Sequence, residues 1–370
     1  MVVGWREALE LVEPGWSAPS AEDLTHNRGL TPGIWAVASH GRRTVLKMLA
    51  ADREAPSSAW DAHWTKGADG RRRWNYWARE GLAYRHRLVD VYETAGIAGP
   101  KLLAAHYADD RIILLLEHVE GLPGEQWQVA DYAPAARSLG LAQGQLLSTE
   151  TLPSYDWLSE GFLRQYSSEK PVDWSLLDND DAWRQPVVER NFPRQLREAA
   201  VWLHAARDRL YEIASALPRV LCHLDFWTKN LIRRPDGAID LIDWAFVGDG
   251  AVGEDVGNLI PDASFDHFVD AEALPELEAV VRAAYLDGLA ASGWDGDLRL
   301  AELGLYASAV KYDWLTPHML ALAGASRQVR YGGRELIDAD YLFRQRGLGL
   351  LNNAQRARRA LNLAKDLAIY

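Results

Sequence analysis

The 370-residue sequence contains one cysteine, Cys222, only seven lysines against thirty-three arginines, and no uninterrupted apolar run of 18 residues. A single cysteine excludes an internal disulfide bond and any metal cluster that needs several cysteines. The lack of a long apolar run excludes a helix that crosses a membrane. The N-terminus also lacks the basic and apolar regions of a signal peptide. We therefore expect a cytoplasmic protein without membrane contact.

The charge balance is acidic, with 52 aspartates and glutamates against 40 basic residues and a net charge of −12. Nucleic-acid-binding proteins usually carry basic surfaces, so this balance disfavours a nucleic-acid partner and permits a cationic substrate. The chain is longer than one that typically folds around a single hydrophobic core. This length indicates one large domain or two closely packed ones. We expect a monomer or a weak dimer.

The stretch from 220 to 257 carries the residues on which the chemistry depends. A short apolar entry at 219–222 and a polar loop precede two predicted strands, at 230–233 and 239–243, which a Pro-Asp-Gly turn joins. Four polar residues lie at the ends of these strands: His223, Asp225, Asn230 and Asp243. Phosphoryl transfer needs such a set, with one carboxylate to accept a proton and an amide and a second carboxylate to hold Mg²⁺.

The spacing His-x-Asp-x-x-x-x-Asn from His223 to Asn230, followed by Ile-Asp-Trp at 242–244, resembles the loops of the aminoglycoside phosphotransferase family. Leu224 departs from the glycine that is common after the histidine. The resemblance implies a small-molecule kinase with a bilobal α+β, protein-kinase-like fold. It implies that Asp225 is the catalytic base and that His223 braces the loop. It also implies that Asn230 and Asp243 bind Mg²⁺, with ATP, or alternatively GTP, as the phosphoryl donor.

The first 119 residues predict a small lobe with an entry helix at 4–13 and a five-stranded antiparallel sheet, including strands at 34–38, 44–49, 101–107 and 111–119. Lys47 follows Val45 and Leu46, as in the lysine-bearing strand of kinases. A predicted helix at 74–84 places Glu80 among apolar neighbours, where an unpaired charge is costly, so Lys47 is its expected partner. The alternative is a surface Glu80 paired with Arg79 or Arg85.

The resemblance further implies two nucleotide contacts. The turn-rich loop at 27–33, with Thr31 and Gly33, would cover the phosphates, although it lacks the kinase pattern Gly-x-Gly-x-x-Gly. A hinge at about 117–121 would offer the carbonyl of Glu117 and the amide of Val119 to adenine. Asp255 is expected to tie its segment to the catalytic loop.

Residues 120–370 predict a large helical lobe that contains the catalytic loop, the metal loop and the substrate site. Helical patterns occupy 132–147, 160–166, 193–217, 274–291 and 298–323, and a last pair of helices falls between 338 and 367. The polar stretch at 50–73 is expected to be a loop.

Two other interpretations stay open. The segment Gly248–Gly253 matches Gly-x-Gly-x-x-Gly after a strand, which is typical of a dinucleotide-binding fold, although no βαβ repeats surround it. A nucleotide-binding regulator without turnover would also retain these motifs.

The acceptor is the least specified part of the prediction. No lysine or arginine occurs between Arg234 and Arg282, a stretch that includes Asp262 and Asp266 and predicts a negative potential beside Asp225. Tyr306, Tyr312 and Trp314 are expected on one helix, where Tyr312 and Trp314 would offer flat faces to a ring. We predict that the acceptor contains a cationic or amino-bearing ring and is an aminoglycoside-like or other antibiotic. Such an acceptor implies a resistance enzyme. The alternative is a metabolic kinase of a sugar, an amino sugar or a choline-like alcohol.

Overall fold

The computed structural model describes residues 4–25, 31–51, 59–149, 152–325, 328 and 336–369. It has an N-terminal antiparallel sheet of five strands and a mainly helical C-terminal part, as the sequence predicts. The division between lobes after residue 119 stays a prediction. None of the described helices is long and apolar enough to cross a membrane.

Eleven strands are assigned among the described residues. In chain order they are β1 Ser20–Asp23, β2 Gly33–Ser39, β3 Arg42–Ala50, β4 Ile97–Ala98, β5 Leu102–Tyr107, β6 Arg111–Glu117, β7 Leu122–Pro123, β8 Arg219–Cys222, β9 Leu231–Arg233, β10 Ile239–Leu241 and β11 Gly248–Ala251. The N-terminal sheet has the order β1-β2-β3-β6-β5.

Thirteen α-helices are assigned in the same part of the chain. They are α1 Trp5–Val12, α2 Ala59–Thr65, α3 Arg79–Arg85, α4 Tyr132–Thr149, α5 Phe162–Ser168, α6 Asp180–Trp183, α7 Pro186–Asn191, α8 Leu196–Ala216, α9 Glu254–Phe265, α10 Leu274–Ala291, α11 Leu298–Ala307, α12 Leu315–Leu322 and α13 Ala339–Asp366.

The alternation of side chains along β3 decides which face of the N-terminal sheet carries the charge. Successive residues of a strand point to opposite faces. Leu46 and Met48 are buried in a small core with Ala8 and Leu9 of α1. Lys47 lies between them in sequence and therefore points to the other face, toward the helical part.

The stretch from 219 to 251 contributes strands to two small sheets. β9 and β10 form the predicted antiparallel hairpin, and their sheet has the order β4-β10-β9-β7. Gly237 has φ +90° in the connecting turn, a value that suits glycine. β11 pairs antiparallel with β8. The glycine-rich segment Gly248–Gly253 therefore does not belong to a parallel βαβ unit, and the dinucleotide-binding interpretation is wrong.

The structure corrects the prediction for 50–84. Residues 59–65 form α2 instead of a loop, and α3 begins at Arg79 instead of residue 74. The buried Arg79 guanidinium donates to the carbonyls of Arg71, Arg73 and Trp74, which wind the preceding segment into turns around it. The aromatic residues there have helical spacing, but the hydrogen bonds to Arg79 decide the backbone path.

The C-terminal helices also differ from the prediction. The expected pair between 338 and 367 is one helix, α13, and its glycines Gly347 and Gly349 pack closely against Phe192 and Phe265. The expected helix at 298–323 is broken, with a 3-10 turn at Ser308–Tyr312 between α11 and α12. Tyr306, Tyr312 and Trp314 therefore do not lie on one helix, contrary to the prediction.

Close approach of α4 and α10 supports the loop that follows β8. A Cβ on Gly288 would lie 2.1 Å from the carbonyl oxygen of Arg137, and one on Gly140 would lie 2.2 Å from that of Tyr285. This packing positions Gln143 of α4, which donates to Asp255 and accepts from the Tyr285 hydroxyl. The helix pair thus holds the polar group that supports Asp255.

We expect Gly288→Ala to lower the free energy of unfolding by about 1–3 kcal/mol, because the added methyl group would collide with backbone. Urea unfolding measures the change. Gly324→Ala is the matched control, since a Cβ at Gly324 would meet only the Gln185 side chain at 3.6 Å. Equal stability of the two variants would contradict the close helix contact.

Candidate active site

A cavity of about 460 Å³ lies between the N-terminal sheet and the helical part. One half of its lining is apolar. The residues that line it are Ile34, Val45, Tyr84, Leu116, Ile232 and Ile242. Glu117, His118 and Val119, at the predicted hinge, and Thr31 also lie in the lining. This apolar half, with the backbone of residues 117–119 at one edge, suits a flat heteroaromatic ring.

A triad of charges lies on the floor of the cavity. Lys47 Nζ is 2.5 Å from Glu80 Oε2 and 3.1 Å from Asp243 Oδ1. Burial alone would lower the pKa of Lys47, but the charges of Asp243 and Glu80 outweigh it and raise that pKa above its usual range. The expected Lys47–Glu80 contact is present, and the surface pairing of Glu80 with Arg79 or Arg85 is not.

The loop after β8 presents Asp225 to the cavity. Asn230 Nδ2 donates to Asp225 Oδ2 at 2.9 Å and to its carbonyl oxygen at 2.9 Å, which fixes the loop across five residues. Burial raises the pKa of Asp225 to about 8, with the negative charge of Asp243 acting in the same direction and the positive charge of Lys311 opposing it. A carboxylate with a raised pKa is a suitable acceptor for a hydroxyl proton.

Asp255 fixes the start of this loop through two hydrogen bonds. Its carboxylate accepts the backbone N–H groups of His223 at 3.0 Å and of Leu224 at 2.7 Å. Leu224 has φ +65°, a left-handed conformation that glycine adopts without strain. The two hydrogen bonds to Asp255 keep Leu224 in that conformation, so the loop retains its shape without the glycine.

Asp243 lies two residues after β10 and has a strained backbone conformation. Its backbone has φ 63° and ψ 68°, which is uncommon for residues other than glycine and is often found at functional sites. Its side chain is 38% exposed, toward the cavity. Burial would raise the pKa of Asp243, but the Lys47 charge dominates and lowers it, so the group is a carboxylate at neutral pH.

The groups around Asp243 fit a hard divalent cation. Asn230 uses its amide nitrogen toward Asp225, which leaves the amide oxygen as a ligand. Asn230 and Asp243 both line the cavity. Mg²⁺ is commonly held by one or two such oxygen ligands together with phosphate oxygens and water. No cluster of three or more His, Cys, Asp or Glu side chains that could hold a metal ion occurs among the described residues.

The other half of the cavity is polar and aromatic. The residues that line it near Asp225 are Trp64, Tyr166, Asp262, Asp266, Lys311 and Tyr312. Asp262 lies 3.6 Å from Lys311 Nζ and accepts the hydroxyl hydrogen of Tyr312. Burial raises the pKa of Asp266 to about 7, while the charge of Arg346 opposes this rise.

These cations correct the expected negative potential. Lys311 and Arg346 come from elements far along the chain and lie beside Asp262 and Asp266. Asp249, in the same acidic stretch, pairs with Arg219 at 3.0 Å. Cations from other segments therefore offset part of the negative charge of this stretch, and the potential there is weaker than the sequence suggests.

Most predicted site residues are brought together around one cavity, with three exceptions. Gly33 begins β2 and lies outside the lining, where a Cβ would meet the ring of Trp35. Trp314 packs against Trp60 and His318 instead of the cavity. His223 is fully buried behind the loop, and its role as a brace stays a prediction. Residues 27–30 of the predicted phosphate loop lie outside the described residues.

Sequence reasoning missed Lys311 and Trp64. Lys311 is only 2% exposed and stands alone in an apolar stretch, which is the same signal that identified Glu80. Trp64 lies in α2, the helix predicted as a loop, so its place in the cavity could not be anticipated.

His223 predicts a pH-dependent stability. Its ring packs against Trp244, with 4.9 Å between ring centroids, and burial lowers its pKa to about 4. Between that value and the ordinary pKa of about 6.5 the unfolded state binds the extra proton. Stability is therefore lost as the pH falls from about 6.5 toward 4, by up to roughly 3 kcal/mol for this residue.

The variant His223→Phe keeps an aromatic ring and cannot titrate. We expect it to lose less stability than the wild type when the pH falls from about 7 to about 5, by about 2 kcal/mol. Urea unfolding at both pH values measures this difference, and buried carboxylates common to both proteins cancel. Parallel pH profiles would show that His223 is not buried in neutral form.

Comparison with known proteins adds a family and a fold. Residues 35–297 match the model of the phosphotransferase enzyme family. An aminoglycoside phosphotransferase from Alicyclobacillus acidocaldarius is similar in structure, with a TM-score of 0.55, 14% identity, and coverage of 100% of this chain and 98% of that chain. This likeness shows the fold. None of the curated proteins matches the sequence.

Two other solved structures are more distant. One is an aminoglycoside phosphotransferase from Streptomyces rimosus in complex with ADP and streptomycin, with a TM-score of 0.47, 18% identity, and coverage of 83% of this chain and 97% of that chain. The other is a choline kinase from Cryptosporidium parvum, with a TM-score of 0.47, 13% identity, and coverage of 96% of this chain and 92% of that chain.

Proposed function

The chain belongs to the phosphotransferase enzyme family, and from this premise we propose that it transfers the γ-phosphoryl group of ATP to a hydroxyl group of a small molecule. The observation that carries the proposal is the single cavity shared by Lys47, Asp225, Asn230 and Asp243. Its apolar half suits the adenine ring. Its polar half would hold the hydroxyl-bearing acceptor molecule beside Asp225.

The contacts in the cavity support a role for each residue. Lys47, held by Glu80, binds phosphate oxygens. Asn230 and Asp243 would hold Mg²⁺, which when bound would neutralise charge on the phosphates. The acceptor oxygen forms a bond to the γ-phosphorus while the bond to the bridging oxygen breaks and ADP leaves. Asp225 orients the acceptor hydroxyl and accepts its proton.

The acceptor that we propose first is an aminoglycoside-like or other antibiotic, which would make the protein a resistance enzyme. Tyr166 and Tyr312 provide flat walls beside Asp225, and the carboxylates of Asp262 and Asp266 provide hydrogen-bond acceptors. The second candidate is a sugar, an amino sugar or a choline-like alcohol, which would fit the same hydroxyl chemistry.

A panel of hydroxylated antibiotics, sugars and amino alcohols tests the proposal by acceptor-dependent formation of ADP. Mass spectrometry should then show one added phosphoryl group on the active acceptor. Omission of Mg²⁺ should abolish the reaction. ATP binding without turnover on any acceptor would favour a nucleotide-binding regulator instead. Comparison of an amino compound with its deaminated analogue, at low and high salt, tests whether charge selects the acceptor.

A further inference from the structure

An aromatic box next to the cavity encloses a lysine. Lys170 follows α5 and is 5% exposed. Five aromatic rings surround its ammonium nitrogen, with the distance to each centroid in parentheses: Tyr166 (3.6 Å), Trp64 (4.9 Å), Trp314 (5.1 Å), Trp74 (5.7 Å) and Trp60 (5.8 Å). All five distances are within the range of cation–π attraction.

The rings come from separate segments and support one another. Trp60 and Trp64 belong to α2, while Trp314 immediately precedes α12. The ring centroids of Trp60 and Trp314 are 5.5 Å apart, and those of Trp64 and Trp74 are 5.2 Å apart. The box therefore joins α2 to the helical part of the protein.

The ammonium has little other compensation. No carboxylate of the described residues lies within ion-pair distance of Lys170. Burial lowers the pKa of Lys170 well below its usual range, and the positive charge of Lys311 acts in the same direction. The negative faces of the rings oppose this effect because they attract a cation.

We propose that these five rings form a binding site for a small organic ammonium ion, and that the side chain of Lys170 is its built-in occupant. The class of ligand is a primary or quaternary ammonium group, which the site would accept when the lysine is shortened. The contacts of Lys170 thereby fix the position of α2. The parts of Trp64 and Tyr166 that do not contact Lys170 line the cavity.

This site has a consequence for the acceptor, which rests on the proposed function. Because Lys170 fills the box, an acceptor cannot place its own ammonium group there. Aromatic rings are common partners of quaternary ammonium groups, so an already filled box disfavours a choline-like alcohol as the acceptor. An amino group of the acceptor would instead have to meet the carboxylates of Asp262 and Asp266.

Lys170→Ala tests the site directly. We expect tetramethylammonium chloride to raise the unfolding temperature of this variant, and calorimetry to give an affinity at least about tenfold higher than for the wild type. Sodium chloride at equal concentration controls for ionic strength. tert-Butanol, a neutral molecule of similar shape, should stabilise the variant less. Equal effects of the two compounds, or equal binding by the wild type, would overturn the proposal.

Lys170→Met keeps the length of the side chain and removes its charge, so it serves if the alanine variant does not fold. We expect the unfolding equilibrium constant to rise about tenfold, because the rings lose their cation. A methionine variant as stable as the wild type would also overturn the proposal.

These readouts need no turnover, so a failure of the proposed function leaves them intact. In an active enzyme, tetramethylammonium should inhibit Lys170→Ala competitively against the acceptor and leave the wild type unaffected. Equal inhibition of both proteins would overturn the link between the box and acceptor choice.

Discussion

Replacement of Asp225 by asparagine is expected to lower kcat by about two orders of magnitude or more and to leave ATP affinity nearly unchanged. Asparagine preserves the size of the side chain and an oxygen that can accept the Asn230 hydrogen bond. It cannot accept the proton of an attacking hydroxyl. Steady-state assays of acceptor phosphorylation, combined with calorimetric ATP titration, measure both effects.

Asp236→Asn is the matched control. Asp236 lies in the exposed turn between β9 and β10, where its carboxylate accepts the Ala238 N–H at 3.0 Å. The same chemical change there should leave kcat unaltered. An Asp225→Asn enzyme with near-normal kcat would assign the base to another residue.

Local sequence patterns predicted the catalytic hairpin because its chemistry is confined to a short stretch. The five-residue interval between Asp225 and Asn230 places the amide within 2.9 Å of the carboxylate. The turn that ends in Gly237 fixes how the two strands pair. Such features need no information from distant parts of the chain.

One long-range contact was also predictable. Lys47 and Glu80 are 33 positions apart, yet each would be a costly buried charge without a partner. Their pairing at 2.5 Å follows from that cost. The same reasoning applied to Lys311 would have identified a second buried charge in need of a partner, which the fold supplies as Asp262.

The acceptor half resisted prediction because its charges and rings are assembled from distant segments. Counting charges along 235–281 missed Lys311 and Arg346, which tertiary packing brings to Asp262 and Asp266. The position of Trp314 in the sequence gave no indication that Trp60 of α2 packs against it. Charge density along a sequence is therefore a poor guide to the potential inside a cavity.

Removal of the Asp243 carboxylate is expected to abolish the dependence of ATP affinity on Mg²⁺. Asp243→Ala should weaken binding of the Mg²⁺–ATP complex by about 100-fold or more, because the cation loses its charged ligand and keeps only the Asn230 oxygen. Lys47 still contacts Glu80 in this variant, so its phosphate contact persists. ATP affinity without Mg²⁺ should therefore change little.

Two further variants separate the metal from the lysine and from the backbone. Glu80→Gln removes the 2.5 Å ion pair with Lys47 and should weaken ATP binding with and without Mg²⁺ alike, since both proposed metal ligands remain. Asparagine tolerates the left-handed conformation of residue 243, at φ 63°, better than alanine does. If Asp243→Asn and Asp243→Ala both lose the Mg²⁺ dependence, the missing carboxylate charge is the cause and backbone strain is not. Calorimetric titration of ATP into each variant, with and without Mg²⁺, distinguishes these cases. Unaltered Mg²⁺ dependence in Asp243→Ala would place the metal site elsewhere in the cavity.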